Sequence, residues 1–262
     1  MKEENIAGIK AFLYDVTDST NEQAKLYAKS GWDGEPTVFL AEEQTKGRGR
    51  YSRKFYSKNG SGVYLSLLFK PNSGISDTTP IVAHTANSMI YAIEALAPVT
   101  LNIKWVNDLI LGEKKLGGIL VEGQIDPESR TYDYLIIGIG VNLYSWEMPE
   151  EIRTIATSLE AECGKRVDKS ALVALFLERL LSGLANPEGD DTFALYKSRL
   201  ITLGKAVTVK TVTEEYDATA TALLPDYSLL VKTPTGDEKR IYTGEVSVKP
   251  QVTQNAKPSI LT

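Results

Sequence analysis

Between Lys46 and Lys54 the chain carries five cations, Lys46, Arg48, Arg50, Arg53 and Lys54, and no acid, in a protein of formal charge −5. Such a local reversal of sign suits an anion. Gly47 and Gly49 alternate with Arg48 and Arg50, so the backbone can come close to a ligand while guanidinium forks grip carboxylate or phosphate oxygens. A charge run alone more often marks a solvated loop. Here about twenty residues separate two strand-like segments, 37–41 and 62–69, and loops beyond about 12 to 15 residues are usually functional or disordered. The stretch is expected to be a mobile flap that orders around an anionic ligand.

Other residues with chemical potential are more scattered. Ser19 and Glu22 have the spacing of a capping box ahead of 23–28, which sets the Ser19 and Thr20 hydroxyls at a helix N-terminus, there to cap or to hold a polar ligand. Asp108 and Lys115 fall on successive strands of a predicted hairpin, 109–111 and 114–122, where they can converge as a surface ion pair or as part of a site. Gly138 and Gly140 alternate in a predicted strand, 134–143, which suggests close approach by a ligand or tight packing. They lack the third glycine and following helix of a dinucleotide fingerprint. His84, the single histidine, has no second histidine and no nearby acid, a poor basis for a metal site.

The elements that must position these groups follow from periodicity. Helices are predicted over 79–98, over 172–184 behind an Asp168 cap, and over 191–200, with a further strand over 101–106. Five short strands, 206–210, 216–223, 228–232, 239–242 and 245–248, suggest a small barrel. The tail beyond Pro250 has no periodic pattern. At 262 residues, 42 % hydrophobic and 24 % charged, the chain reads as soluble and globular. It shows no charged-then-apolar leader and no apolar run of 18 residues, and Cys163 has no partner for a disulfide or a cysteine metal cluster, so a cytoplasmic protein with no membrane partner is expected. A sequence pI near 5.2 argues against bulk nucleic-acid binding.

Taken together, Asp18-Ser19-Thr20-Asn21, Gln44-x-x-Gly47-Arg48-Gly49-Arg50, Lys104-Trp105-x-Asn107-Asp108, Lys115-Leu116-Gly117-Gly118-Ile119-Leu120-Val121-Glu122 and Gly138-x-Gly140-x-Asn142 resemble the biotin protein ligase family in order and spacing. The resemblance covers roughly residues 13 to 250. It implies an α+β fold: a mixed sheet flanked by helices, like the catalytic domains of class II aminoacyl-tRNA synthetases and lipoate ligases, then an SH3-like barrel. The implied division is a catalytic domain over 1–202, the barrel over 203–250 and a disordered tail over 251–262. Some members carry an N-terminal winged helix and repress transcription. This chain reaches Asp18 too soon for one, so a monofunctional ligase with no DNA partner is expected.

The implied chemistry has two steps. Biotin carboxylate attacks the α-phosphate of ATP to give biotinyl-adenylate, and a lysine of a carboxylase's biotin carboxyl carrier domain then takes the acyl group. By the resemblance, Ser19, Thr20, Asn21, Gln44, Gly47, Arg48, Gly49, Arg50, Lys115, Gly117 and Gly118 fall on the biotin site. Arg48, Arg50, Arg53, Phe55, Lys104, Trp105, Asn107, Lys115 and Asn142 fall on the ATP and adenylate site. Arg48, Arg50 and Lys115 would supply cations to adenylation, and Asp108 would orient the attacking lysine and take its proton. Mg²⁺ would be held largely by phosphates and water, without an all-protein cage. An exposed sheet edge that pairs with the carrier or with a second copy, as a homodimer, is a further implication.

The chain departs from the family at two points: Phe55 stands where a tryptophan is common, and Val106 where Lys-Trp-Pro-Asn-Asp has proline. The nearest rival is a lipoate or octanoate ligase, against which stand the Gly-Arg-Gly-Arg loop and the Lys-Trp-x-Asn-Asp hairpin. An RNA-binding module is disfavoured by the acidic pI, and an adaptor role would leave the basic loop unexplained.

Overall fold

The computed structural model describes residues 1–71, 77–184, 190–211 and 213–249. Two compact units divide at Ile201 and Thr202. The first is built on an eight-stranded sheet in the order β1-β2-β3-β4-β8-β7-β6-β5. Its strands are β1 (Lys2–Ile6), β2 (Ile9–Thr17), β3 (Thr37–Gln44), β4 (Gly62–Phe69), β5 (Leu101–Lys104), β6 (Asp108–Leu111), β7 (Lys114–Ile125) and β8 (Tyr132–Asn142). All neighbours are antiparallel except β2 and β3. That pair is parallel because helix α1 (Thr20–Lys29) carries the chain back between them, as a crossover must.

Helices α2 (Thr79–Leu96), α5 (Lys169–Leu184) and α6 (Asp190–Ser198) pack together; short helices α3 (Glu150–Arg153) and α4 (Leu159–Cys163) lie between β8 and α5 in the chain. Helix α2 buries nearly its whole length, with Pro80 in its first turn, where no intrahelical N–H bond is lost. Helix α1 packs against β3, β4 and β8, where Phe12, Ala24, Phe39, Leu68, Tyr134 and Ile136 form a cluster. Every residue of β4 is buried, so this strand is the centre of the sheet.

The second unit holds an antiparallel five-stranded sheet in the order β12-β11-β10-β9-β13. Its strands are β9 (Ala206–Lys210), β10 (Glu215–Leu223), β11 (Leu229–Lys232), β12 (Glu238–Ile241) and β13 (Glu245–Val248), around buried Val207, Val209, Ala220, Leu229, Val231 and Val246. The tail expected over 251–262 lies outside the described residues. No helix among the described residues is long and apolar enough to cross a membrane.

Two local expectations need correction, and one hairpin was not foreseen. The capping box does not form: Ser19 is the N-cap of α1 but its side chain makes no capping bond. Asp18 Oδ1, outside the helix, instead accepts from Ser19 N at 2.6 Å and from the Gln23 side chain at 2.9 Å. The β1–β2 hairpin was not legible, because KEENI is short, mostly charged or polar and has no apolar alternation. The strand predicted to Val106 ends at Lys104, and Asp168 caps α5 as expected, accepting from Ala171 N at 2.7 Å.

Candidate active site

Cross-strand partners share a sheet face, and one row of them runs Asp108, Gly118, Gly140, Tyr64 across β6, β7, β8 and β4. Leu109 pairs with Gly117 but Ile110 with Lys115, so Leu116 is the extra residue of a bulge. The bulge turns Lys115 onto the face of Asp108 and Gly118. Lys115 Nζ there donates to Asp108 Oδ1 at 2.6 Å. Gly118 leaves the space for it, since a Cβ at 118 would lie 3.2 Å from Lys115 Nζ.

A segment with no sequence signal holds this corner. Lys115 N donates to Ile155 O at 2.9 Å, and Thr157 N donates to Lys115 O at 2.9 Å. Asn142 Nδ2 donates to Thr157 O at 3.0 Å, which ties β8 to the same strip. Asn142 Oδ1 is buried with no hydrogen-bond partner. A buried acceptor of this kind costs free energy until something donates to it or a cation sits on it.

Two residues along β8 from Gly140, the start of α1 closes on the same face. Ser19, Thr20 and Asn21 are all buried. Gln44 Oε1 accepts from Thr20 N at 2.8 Å, and Gln44 Nε2 donates to Ser57 Oγ at 2.8 Å, so the Gln44 amide is held at both ends. Ser66 Oγ lies 2.7 Å from Thr20 Oγ1 and 2.5 Å from Asn21 Oδ1. Asn21 Nδ2 donates to Glu122 Oε2 at 2.6 Å, and Lys25 Nζ pairs with Glu122 Oε1 at 2.8 Å. Gly138 is required beneath Asn21: a Cβ there would sit 2.3 Å from Asn21 Oδ1.

The basic loop is folded back on itself beside this cradle. Lys46 N donates to Asp18 O at 2.8 Å, Phe55 N to Gly47 O at 2.9 Å and Gly49 N to Arg53 O at 2.7 Å. Arg50–Ser52 form one 3-10 turn, with Tyr51 left-handed at φ 56°. A Cβ at Gly47 would meet Phe55 O at 2.4 Å. Arg48 Nη1 donates to Glu22 Oε1 at 3.2 Å and Arg50 Nη2 to the Tyr51 hydroxyl at 3.3 Å. The Phe55 ring lies directly on Gly140, where a Cβ would be 2.5 Å from Cε1, and meets Tyr64 edge-on at 6.4 Å.

The remaining expected residues divide by burial. Lys104 pairs in register with Asp108, so it flanks the Lys115 corner. Asn107 spends its amide on Ile119 O at 2.7 Å, clamping the hairpin. Trp105 is buried, so it supports the corner from within and offers no open ring face. Gly117 lies where a Cβ would strike Gly140 O at 2.4 Å, a packing requirement between β7 and β8. His84 is structural: Nε2 lies 2.9 Å from Leu180 O, the ring packs on Gly183, and burial holds its pKa below the ordinary value.

Two other titrations are shaped by the site. Burial pushes the Asp18 carboxyl up, but hydrogen bonds from Gln23, Ser19 N and Thr17 outweigh it and leave the pKa below the ordinary value. Burial pushes the Tyr64 hydroxyl up to about 12. Ser57, Ser66 and Glu122 had no role assigned from sequence. Ser66 could have been found, as the one hydroxyl inside the apolar run 63–69 apart from Tyr64.

Comparison with known proteins places the chain in a family. Residues 13–142 match the biotin/lipoate A/B protein ligase family. The "Bifunctional ligase/repressor BirA" of Bacillus subtilis is 30 % identical over 247 residues, which cover 93 % of this chain and 75 % of that protein. The "Biotin--[acetyl-CoA-carboxylase] ligase" of Paracoccus denitrificans is 29 % identical over 232 residues, 84 % of this chain and 93 % of that one. Among solved structures, the biotin protein ligase from Aquifex aeolicus in complex with biotin and ATP superposes with a TM-score of 0.78 at 28 % identity, covering 92 % of this chain and 99 % of that chain. The chain belongs to the biotin/lipoate A/B protein ligase family.

Proposed function

We propose that this protein is a biotin protein ligase: it activates biotin with ATP as biotinyl-5′-adenylate and transfers the biotinyl group to a lysine of a biotin carboxyl carrier domain. The observation that carries this reading is the convergence on one sheet face of a donor–acceptor cradle (Ser19, Thr20, Asn21, Gln44), a glycine floor and the Lys115–Asp108 pair. A cyclic urea needs both donors and acceptors, and the cradle offers both. Gly118 leaves room for the Lys115 side chain and Gly140 for the Phe55 ring against the strands.

In the first step a carboxylate must approach a triphosphate, and their repulsion must be offset by cations. Lys115 is assigned to the carboxylate and α-phosphate, with Arg48 and Arg50 closing over the adenylate. Phe55 and Asn142 are assigned to the nucleotide, with Arg53, Lys104 and Asn107 at its margin and Trp105 behind it. Among the described residues no cluster of three His, Cys, Asp or Glu side chains could cage a metal. Mg²⁺ is assigned to arrive on the phosphates and to keep its waters, beside the buried, unpaired Asn142 Oδ1. Bound there, the ion would neutralise triphosphate charge.

In the second step the attacking lysine is only roughly 0.04 % neutral at pH 7 for an ordinary pKa of ~10.4. Asp108 is assigned to hold the incoming ammonium and take its proton. The finer assignments belong to the same reading: a catalytic domain over 1–202, an SH3-like barrel formed by β9–β13 over 203–250, pairing of a sheet edge with the carrier or a second copy, and a cytoplasmic setting that suits ATP and the free thiol of Cys163. The test is incubation with biotin, ATP, Mg²⁺ and a purified carrier domain. One biotinyl group on a single carrier lysine is expected by mass spectrometry, and an unmodified carrier would refute the assignment.

A further inference from the structure

Ser57 lies where the basic loop returns to β3. Gln44 N donates to Ser57 O at 3.1 Å in an isolated antiparallel bridge, and the two side chains repeat the pairing, Gln44 Nε2 donating to Ser57 Oγ at 2.8 Å. The amide has no choice of orientation. Thr20 N and Thr20 Oγ1 both donate to Gln44 Oε1, at 2.8 and 3.1 Å, and a main-chain N–H can do nothing but donate. The amide oxygen must therefore face Thr20, and the amide nitrogen must face Ser57. An amide nitrogen does not accept, so the Ser57 proton is left for Phe55 O, a longer contact at 3.5 Å.

The Ser57 hydroxyl is thus the side-chain link between the Gln44 amide and the main chain of the loop. It is shielded: Ser57 is 5 % exposed, and it is wedged against Gly47, where a Cβ would lie 2.8 Å from Ser57 Oγ and 3.3 Å from Gln44 Nε2. An amide has two acceptor sites and two N–H groups. Thr20 fills the oxygen and Ser57 takes one N–H, which leaves Gln44 one N–H without a partner among the described residues. Two residues before Ser57, the Phe55 ring lies on Gly140, so one short segment sets both the ring over the floor and the amide of the cradle.

We propose that Ser57 is a positioning residue that acts through Gln44: by taking one N–H of the amide, while Thr20 takes its oxygen, it holds Gln44 as a single hydrogen-bond donor for an acceptor on the acid being activated. This rests on the biotin reading above, in which the urea carbonyl is that acceptor. Ser57 itself does not touch the acid.

ATP–pyrophosphate exchange with Ser57→Ala and Ser57→Cys tests this, the second variant keeping the volume of the side chain while losing most of its hydrogen bonding. In both, the KM for biotin should rise by about fivefold, the scale of one buried hydrogen bond, with the KM for ATP changed by less than about twofold. Adding Ser57→Ala to Gln44→Met, which already lacks the amide, should raise the biotin KM no further, because a residue that acts only through another has no effect once that other is gone. An unchanged biotin KM in both Ser57 variants, an equal rise in the two KM values, or a full extra effect in the Gln44→Met background overturns the proposal. Wild-type exchange that does not depend on biotin overturns the substrate reading instead. In that event the Gln44 side-chain amide signals in NMR of the ligand-free protein still decide the contact: they should move in Ser57→Ala, and unmoved signals contradict the positioning role.

Discussion

Lys115 Nζ lies 2.6 Å from Asp108 Oδ1, and the β-bulge at Leu116 is what brings the two to one face. Each is the other's counter-charge in the ligand-free protein. On the proposed chemistry an anion arriving beside Lys115 draws the ammonium to itself and leaves Asp108 without its partner. The base assigned to the second step is thus released by the ligand of the first.

This coupling predicts different defects from the two substitutions. Lys115→Ala should slow adenylate formation by roughly 10² to 10³, the usual loss for one group that stabilises developing charge. Asp108→Asn should still form adenylate but slow transfer to the carrier, and raising the pH from 7 to 9 should partly restore transfer by supplying neutral amine. Single-turnover formation of radiolabelled adenylate, followed by its transfer to a carrier domain, separates the steps. Wild-type transfer by Asp108→Asn at every pH would reduce Asp108 to a turn residue.

The glycine floor gives a steric prediction. Gly138→Ala and Gly140→Ala would put a methyl 2.3 Å from Asn21 Oδ1 and 2.5 Å from Phe55 Cε1. Each should destabilise the protein by about 1 to 3 kcal/mol, as overpacking does. Gly49→Ala, whose nearest neighbour would be Arg53 O at 3.7 Å, should stay within about 0.5 kcal/mol of wild type. Urea denaturation of the three variants decides it, and equal stabilities would mean that the floor is not tightly packed.

Much of this site was legible because the chemistry is carried by short runs with strong signals: two glycines between two arginines, a lysine and an aspartate either side of a tight turn, alternate glycines in an apolar strand. The strands and helices around them followed from periodicity. What escaped depended on long-range pairing. Segment 155–157 braces Lys115 through backbone groups that any residue possesses, and the bulge at Leu116 is invisible without its partner strand. In place of the capping box, Asp18 takes the Ser19 amide, and the β1–β2 hairpin was hidden by a short, mostly polar edge strand.

That hairpin turns at Ala7 and Gly8, both with positive φ, 53° and 82°. A left-handed alanine is unfavourable, whereas Asn-Gly is the preferred pair for such a turn. Ala7→Asn should therefore stabilise the protein, by about 0.5 to 1 kcal/mol. A lower midpoint in urea would count against this turn geometry.

Stability should also fall on mild acidification through His84. Burial depresses its folded-state pKa, so below the ordinary value of 6.5 the unfolded chain binds a proton that the folded chain resists. The contribution of the neutral, buried ring is present above pH 6.5 and is lost as pH drops toward the folded-state value. His84→Gln should start less stable and show a shallower loss over that interval than wild type. Parallel pH profiles for the two proteins would show that His84 does not titrate on unfolding.

The central claim is that the site activates biotin in preference to other acids of the family. ATP–pyrophosphate exchange, measured with Mg²⁺ and separately with biotin, lipoate and octanoate, tests it most directly. Exchange should require biotin, with lipoate at least about a hundredfold poorer because an acid without a urea offers the Thr20 and Gln44 cradle no N–H or carbonyl group to pair with. Equal exchange with biotin and lipoate, or faster exchange with octanoate, would contradict the account.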